Sequence, residues 1–221
     1  MMQRFFDIFF SGLALLVLAP LLIPVAIILK FSGEGEIFFA QQRVGLNGKM
    51  FNLLKFATML KDSPNIGTGT VTLRDDPRVL PIGGFLRKYK INELPQLLNI
   101  FLGDMSVVGP RPQTQRCFEA FSDDVQNEII KVRPGLSGIG SIIFRDEENL
   151  LHDANDPMVF YDTIIAPYKG EVEKWYIHNA SLVNYFLIIF VTAWVVLFSK
   201  SRIVWKAFPS LPAPPKELAS I

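Results

Sequence analysis

The stretch from Thr72 to Pro112 gathers residue types that phosphate chemistry uses. Leu94, Leu97, Leu98 and Phe101 recur at helical spacing and predict a helix with one buried stripe. Asn92 stands at the N-cap position, Glu93 opens the first turn, Pro95 is tolerated that early, and Gly103 can close the helix. Arg87, Lys88 and Lys90 lie just upstream. One helix start thereby collects a carboxylate, oriented backbone N–H groups and several cations. N–H groups and cations can hold phosphate oxygens, and the carboxylate can hold a divalent cation. A structural explanation competes: Asn and Glu stabilise a helix start by capping and dipole interactions, and RKYK can be a solvated face. Periodicity alone favours the structural explanation.

Two further arginines are held by proline. Arg111 lies between Pro110 and Pro112, and Arg133 precedes Pro134-Gly135 in VRPGLSGIGS. Proline restricts its own φ and the residue before it, so a guanidinium in such a turn points in a defined direction and suits bidentate phosphate binding. A loop arginine paired to an acid such as Asp104 is the equal alternative. Acids crowd the segment from Phe144 to Gly170, among them Asp146, Glu147, Glu148, Asp153, Asp156 and Asp162. Scattered acids usually face solvent, and His152 adds too little for a metal site.

The elements that must position these residues sit in a chain of 221 residues with 22 Lys and Arg against 21 Asp and Glu, half of it apolar. This balance argues against a broad nucleic-acid surface. Cys117 is alone, so no intrachain disulfide or cysteine-based zinc site can form, and with only His152 and His178 a multi-histidine centre is excluded. Nothing points to an oxidising compartment. The mean hydropathy of +0.30 is high for a soluble domain. The excess is concentrated at the ends: Ile8 to Leu29 is apolar at 18 of 22 positions and Leu182 to Phe198 at 15 of 17. What remains is roughly 42% apolar, an ordinary globular composition.

The first run could cross a bilayer, but Pro20 and Pro24 fall inside it and should kink it. Two topologies are open: a kinked span, or a helix that breaks near Pro20 and returns to the same face. Flanking positive charge does not separate them, and the difficulty of burying unpaired backbone in lipid favours the span. Residues 37 to 56 predict a hairpin turning at Asn47-Gly48. Residues 61 to 72 predict a loop, and 113 to 131 a surface helix with Phe118, Phe121, Val125 and Ile129 inward. The second run fits either a span or an interfacial helix carrying a narrow polar stripe of Ser181, Asn184, Thr192 and Ser199, with the interfacial course preferred. The end, FPSLPAPPKELASI, predicts a disordered tail.

Taken in order, RFFD (4 to 7), VLAP (17 to 20), QQRVG (41 to 45), KFATM (55 to 59), DPRV (76 to 79), LRK (86 to 88), NELPQLLN (92 to 99), GDMSVVGPRP (103 to 112) and VRPGLSG (132 to 138) resemble the monotopic phosphoglycosyl transferases, the bacterial sugar transferases that start polysaccharide and glycoconjugate assembly. The resemblance covers nearly the whole chain, and the shared order and spacing make it specific. It implies transfer of a sugar 1-phosphate from a nucleotide diphosphate sugar, with UDP the expected nucleotide, to polyprenyl (undecaprenyl) phosphate, releasing UMP. The implied route has two steps and depends on Mg2+: an aspartate attacks the sugar-bearing phosphorus, then the lipid phosphate takes the phosphosugar. The partners so implied are the nucleotide sugar, the polyprenyl phosphate and the membrane, with no nucleic acid; assembly of identical chains is left open.

The fold so implied is α+β and mostly helical, membrane-associated, with an N-terminal re-entrant helix broken at Pro20 and Pro24, a small β-hairpin and amphipathic interfacial helices. Residues 1–31 would form the re-entrant helix, 32–180 the catalytic domain on the cytoplasmic face of the bacterial inner membrane, 181–207 a membrane-associated helix and 208–221 a Pro-rich tail. Glu93 falls on the family's metal-binding glutamate. Arg87, Lys88, Arg111, Arg133 and Arg145 fall at or near positions expected to bind phosphate or nucleotide. Residue 92 departs from the pattern: Asn92 stands where the family has its nucleophilic aspartate, and a neutral amide cannot serve as that nucleophile. Four explanations are open: Glu93 attacks instead, Asp104 or another acid has taken over, the chain is silent, or an aspartate has been replaced by design. Ala57 stands where an arginine is common, which removes one cation. Two non-catalytic alternatives remain, a silent membrane-bound scaffold of the same fold and a two-span protein whose middle domain binds a partner.

Overall fold

The computed structural model describes residues 2–63, 76–152, 154–198 and 201–219. A long helix α1 (Met2–Lys30) leads to the hairpin β1 (Phe38–Val44) and β2 (Met50–Phe56), then α2 (Pro81–Lys88) and α3 (Gln96–Leu102). The short strand β3 (Ser106–Val108) is followed by α4 (Gln115–Glu119), α5 (Asp123–Ile129), β4 (Gly135–Ser137) and α6 (Ile139–Ile143). Helices α7 (Glu147–His152), α8 (Pro157–Phe160), α9 (Ala166–His178), α10 (Leu182–Leu197) and α11 (Ile203–Ala207) complete the chain. The architecture is mostly helical α+β with a small hairpin, as expected, and has in addition a second two-stranded sheet, β3–β4.

The chain divides into two compact units: Ile8–Gln41 with Asn52–Leu102, and Met1–Asp7 with Gln42–Phe51 and Gly103–Ile221. In the first of these, α1 is helical through Pro20 and Pro24. Val25 and Leu29 pack with Phe56 and Leu86 into a small core, while Leu16 and Val17 are 74% and 65% exposed. At 29 residues α1 is long and apolar enough to cross a membrane, which marks the protein as membrane-associated. Leu80 N donates to Thr58 O and Leu60 N to Arg78 O, both at 2.9 Å, and these bonds set the start of α2. A Cβ on Gly83 would stand 2.1 Å from Thr58 O, so only glycine permits this approach. The hairpin turns where expected, with Asn47 and Gly48 at φ 57° and 71°. The loop expected over 61–72 lies outside the described residues from 64 onward.

The other unit is built on the parallel pair β3 and β4, with Ser106 opposite Gly135 and Val108 opposite Ser137. Gly135 is close enough to the neighbouring backbone that a Cβ would stand 2.1 Å from Gly109 N. Helix α9 packs on α5 and α6, and α10 on β3, β4 and α6. The expected helix over 113–131 is instead two, α4 and α5. Ser122 adopts extended backbone and Asp123 and Asp124 open a new helix there, so Phe118, Phe121 and Val125 are buried but Ile129 only partly. With 16 residues, α10 extends about 24 Å, short of a hydrocarbon core of about 30 Å. One face, Tyr185, Ile188, Val191 and Val195, is buried, and Thr192 Oγ1 lies 2.6 Å from Ser137 Oγ. The tail is not disordered through residue 219: Tyr168 Oη donates to Pro212 O at 2.8 Å, and Phe208 and Leu218 are buried. Apolar residues between its prolines give it a surface to dock with.

Candidate active site

Asn92 does not cap a helix. Residues Ile91–Glu93 form a 3-10 turn entered through Lys90, whose backbone is left-handed at φ 57°, and α3 begins only at Gln96. Three residues per turn shift the phase of the helix that comes after it. The buried positions of α3 are therefore Gln96, Leu97, Asn99 and Ile100, while Phe101 of the predicted stripe is exposed and Leu94 and Leu98 are only partly buried. Asn99 was not legible as a site residue. Its Nδ2 donates to Asn52 O at 2.8 Å and its Oδ1 accepts from Leu54 N at 2.9 Å, so it pairs with β2 as a strand would.

Asn92 is 8% exposed, its side chain makes no capping bond, and its Oδ1 has no hydrogen-bond partner among the described residues. Glu93 is next in the chain, partly buried. In the same unit, Arg87 is partly buried with Nη1 3.3 Å from Met59 Sδ, and Lys88 is exposed with Nζ 5.5 Å from the Tyr89 ring centroid. A buried amide oxygen and a carboxylate at consecutive positions are both hard oxygen donors. That suits magnesium, which takes one or two protein ligands and completes its shell with water and substrate phosphates. No group of three His, Cys, Asp or Glu gathers among the described residues, so the set fits that mode rather than an all-protein cage.

In the other unit the two proline-held segments meet. Gly135 N donates to Pro110 O at 2.7 Å, Ser106 N to Pro134 O at 2.9 Å, and Arg111 and Pro134 line one cavity of about 10 Å³. Arg111 is exposed, with its backbone N donating to Glu173 Oε1 at 3.0 Å. Arg133 Nε donates to Gly103 O at 2.8 Å, which fixes its side chain against the start of the GDMSVV segment. Arg145 is engaged elsewhere: it pairs with Asp146, and its Nη1 donates to Val195 O at 3.0 Å, tying the end of α6 to α10. Three other acids of that region have structural work, while Asp153 and the Glu148 side chain lie outside what is described. Asp162 pairs with Arg116, Glu147 with Lys169, and Asp156 caps α8. A groove of about 690 Å³ lined by Phe121, Val125, Tyr168, Pro212 and Pro215 contains none of the phosphate candidates.

Sequence reasoning missed two buried carboxylates. Asp7 Oδ1 accepts from Ser106 Oγ and Val107 N at 2.9 Å and from Tyr185 Oη at 3.0 Å, fastening the start of α1 to β3 and α10. Glu173 is 1% exposed, and burial raises its carboxyl from 4.5 to about 7 against the smaller opposing effects of the Arg111 N–H and the Lys169 charge. Asp7 lay inside the RFFD motif, whereas nothing in the local sequence marks Glu173.

The oxygen donors of Asn92 and Glu93 and the proline-held arginines belong to a membrane-associated α+β fold. The chain belongs to the bacterial sugar transferase family, whose sequence profile matches residues 1–199. It is 35% identical over 212 residues to the exopolysaccharide production protein ExoY of Sinorhizobium fredii, covering 90% of this chain and 86% of the relative. It is 33% identical over 210 residues to the undecaprenyl-phosphate galactose phosphotransferase of Salmonella typhimurium, covering 89% of this chain and 40% of that longer protein. It is also 36% identical over 144 residues to the UDP-glucose:undecaprenyl-phosphate glucose-1-phosphate transferase of Escherichia coli, covering 64% and 31%.

Proposed function

We propose that the chain transfers a sugar 1-phosphate from a UDP-sugar to undecaprenyl phosphate, releasing UMP and initiating polysaccharide synthesis. The observation that carries this reading is the buried Asn92 Oδ1, which has no hydrogen-bond partner among the described residues and directly precedes Glu93 in the chain. Glu93 and the Asn92 amide oxygen are the groups that would hold magnesium, whose part is to offset charge on the diphosphate. Arg111 and Arg133, held by proline turns, are the groups of their unit that would bind phosphate oxygens, as Arg87 and Lys88 of α2 are in the other. Arg145 acts through its tie to α10, because its guanidinium is already paired.

The reaction needs a nucleophile: a carboxylate oxygen bonds to the sugar-bearing phosphorus as the phosphoanhydride breaks and UMP leaves, and an oxygen of the lipid phosphate then bonds to that phosphorus and frees the carboxylate. The amide of Asn92 does not supply this, so in this chain the neighbouring carboxylate, Glu93, takes the part at a lower rate. The first helix enters the membrane and turns back near Pro20 and Pro24, and the catalytic residues face the cytoplasm. The exposed face of α10, Val183, Phe186, Phe190, Trp194 and Leu197, is apolar and suits a membrane interface.

The test is UMP release from UDP-glucose, UDP-galactose and UDP-N-acetylgalactosamine by the full chain in nanodiscs with undecaprenyl phosphate and magnesium. Asn92→Asp is expected to raise turnover at least about 10³-fold, the scale on which loss of a nucleophile acts. Asn92 itself favours a second reading, a donor-binding scaffold without turnover. Donor binding with no UMP release from either form supports the scaffold and sinks the transferase reading for this chain.

A further inference from the structure

Helix α9 delivers two side chains, three residues apart, to the segment that carries Arg111. Tyr176 Oη donates to Val108 O at 3.1 Å, and Glu173 Oε1 accepts from Arg111 N at 3.0 Å. Pro110 and Pro112 have no backbone N–H, so Arg111 N–H is the single main-chain donor from residue 110 to 112. The bond this turn donates therefore goes to a carboxylate, while its flanking carbonyls accept from Gly135 N (to Pro110 O, 2.7 Å) and Arg43 Nη1 (to Pro112 O, 3.2 Å).

The carboxylate is closely confined. A Cβ on Gly140 of α6 would stand 2.2 Å from Glu173 Oε1, so a larger residue there must push the carboxylate aside. Lys169, one turn earlier on α9, attracts Glu173 electrostatically but makes its ion pair with Glu147 at 2.5 Å, its Nζ lying 5.3 Å from the Phe144 ring centroid. Glu173 Oε2 has no hydrogen-bond partner among the described residues. A buried carboxylate kept for one N–H bond is a poor way to stabilise a helix interface, where an apolar side chain would avoid the desolvation. It is an effective way to hold a turn that has no other donor.

We propose that Glu173 is a positioning residue for donor binding: it locks the Pro110-Arg111-Pro112 turn onto α9 and so presents the exposed Arg111 guanidinium to a phosphate of the nucleotide sugar. This rests on the reading of Arg111 as a phosphate ligand. Glu173→Gln keeps an acceptor oxygen in place, whereas Glu173→Leu removes it. Gly140→Ala displaces the carboxylate without altering Glu173, and serves if Glu173→Leu does not fold. Tyr176→Phe breaks the neighbouring bond to Val108 O and serves as the structural control.

The experiment measures UDP-glucose affinity in the presence of magnesium, together with amide hydrogen exchange in the 108–113 peptide, on the full chain in nanodiscs. Glu173→Leu and Gly140→Ala are expected to speed exchange and weaken UDP-glucose binding by about tenfold or more, while Glu173→Gln stays within about threefold of the parent, as loss or retention of a single buried hydrogen bond requires. Equal losses of affinity in Tyr176→Phe and Glu173→Leu, or unchanged exchange in both Glu173→Leu and Gly140→Ala, overturn the proposal. An unchanged affinity in Arg111→Ala overturns the phosphate role of Arg111 instead, and the exchange measurement then reports separately whether Glu173 holds the turn.

Discussion

Glu173 makes the stability of the protein depend on pH in a window that no other shifted group among the described residues occupies. Its carboxyl rises from 4.5 to about 7 in the folded chain because burial disfavours the charged form. The folded state therefore binds this proton more tightly than the unfolded state. The resulting stabilisation is complete below about pH 4.5 and is lost as pH rises through about 7. At about 1.4 kcal/mol per pKa unit the difference is about 3 kcal/mol, a substantial part of a typical total of about 5–15 kcal/mol. Asp124 and Glu128 are held below their ordinary values by Lys174 and Lys131, so their contributions change only at more acid pH, and the shifted tyrosines titrate well above it. Unfolding followed between pH 5 and 8 should show the parent losing about 6–12 °C in Tm toward the alkaline end. Glu173→Gln, which cannot ionise, should lose most of that slope. Parallel pH profiles for the two proteins would refute the assignment of a buried, proton-binding carboxylate at residue 173.

Asp7→Ala should cost about 3–6 kcal/mol, because it leaves the donors of Ser106, Val107 and Tyr185 without their shared acceptor; denaturant unfolding of the purified chain measures it. Asn99→Leu should destabilise by about 2–4 kcal/mol through loss of both bonds to β2, whereas Asn92→Leu should be neutral or stabilising in the same assay while abolishing any UDP-sugar turnover that Asn92→Asp restores. Phe190→Glu places a charge on the exposed apolar face of α10 and should reduce partition of the chain into anionic vesicles at least about threefold with little change in Tm, as measured by co-sedimentation.

What could be read from the sequence was whatever local backbone chemistry decides. Asn47-Gly48 demanded a turn because both residues adopt positive φ readily, and both do. The apolar run of α1 needed no tertiary information either. Failures came where a local pattern admits two phases or where partners are far apart in the chain. The Leu94 to Phe101 stripe assumed an α-helix from residue 93, and the 3-10 turn moved burial to Leu97 and Ile100 while exposing Phe101. Helical periodicity ran across Ser122, yet the extended backbone at Ser122 divides α4 from α5. Glu173 reaches Arg111 across 62 residues and Asp7 reaches Val107 across 100, separations that no window of sequence spans. The motif arginines were legible as candidates, but the engagement of Arg145 with Asp146 and Val195 depends on where α10 docks.

Asn92 and Asn99 lie seven residues apart and are both buried, at 8% and 2% exposure, so burial alone does not distinguish them. Their hydrogen bonds do. Asn99 uses both ends of its amide on the backbone of β2, and its presence is accounted for by the fold. Asn92 caps no helix, and its Oδ1 meets no donor among the described residues, a condition that costs about 1–3 kcal/mol and that an apolar residue would avoid. No bond among the described residues accounts for a polar group at residue 92, and the proposed ligand role does. The same argument separates binding from turnover. An amide oxygen can serve as a neutral ligand, yet it lacks the nucleophilicity of a carboxylate, so on the proposed reading residue 92 can take part in holding a donor and cannot itself attack it.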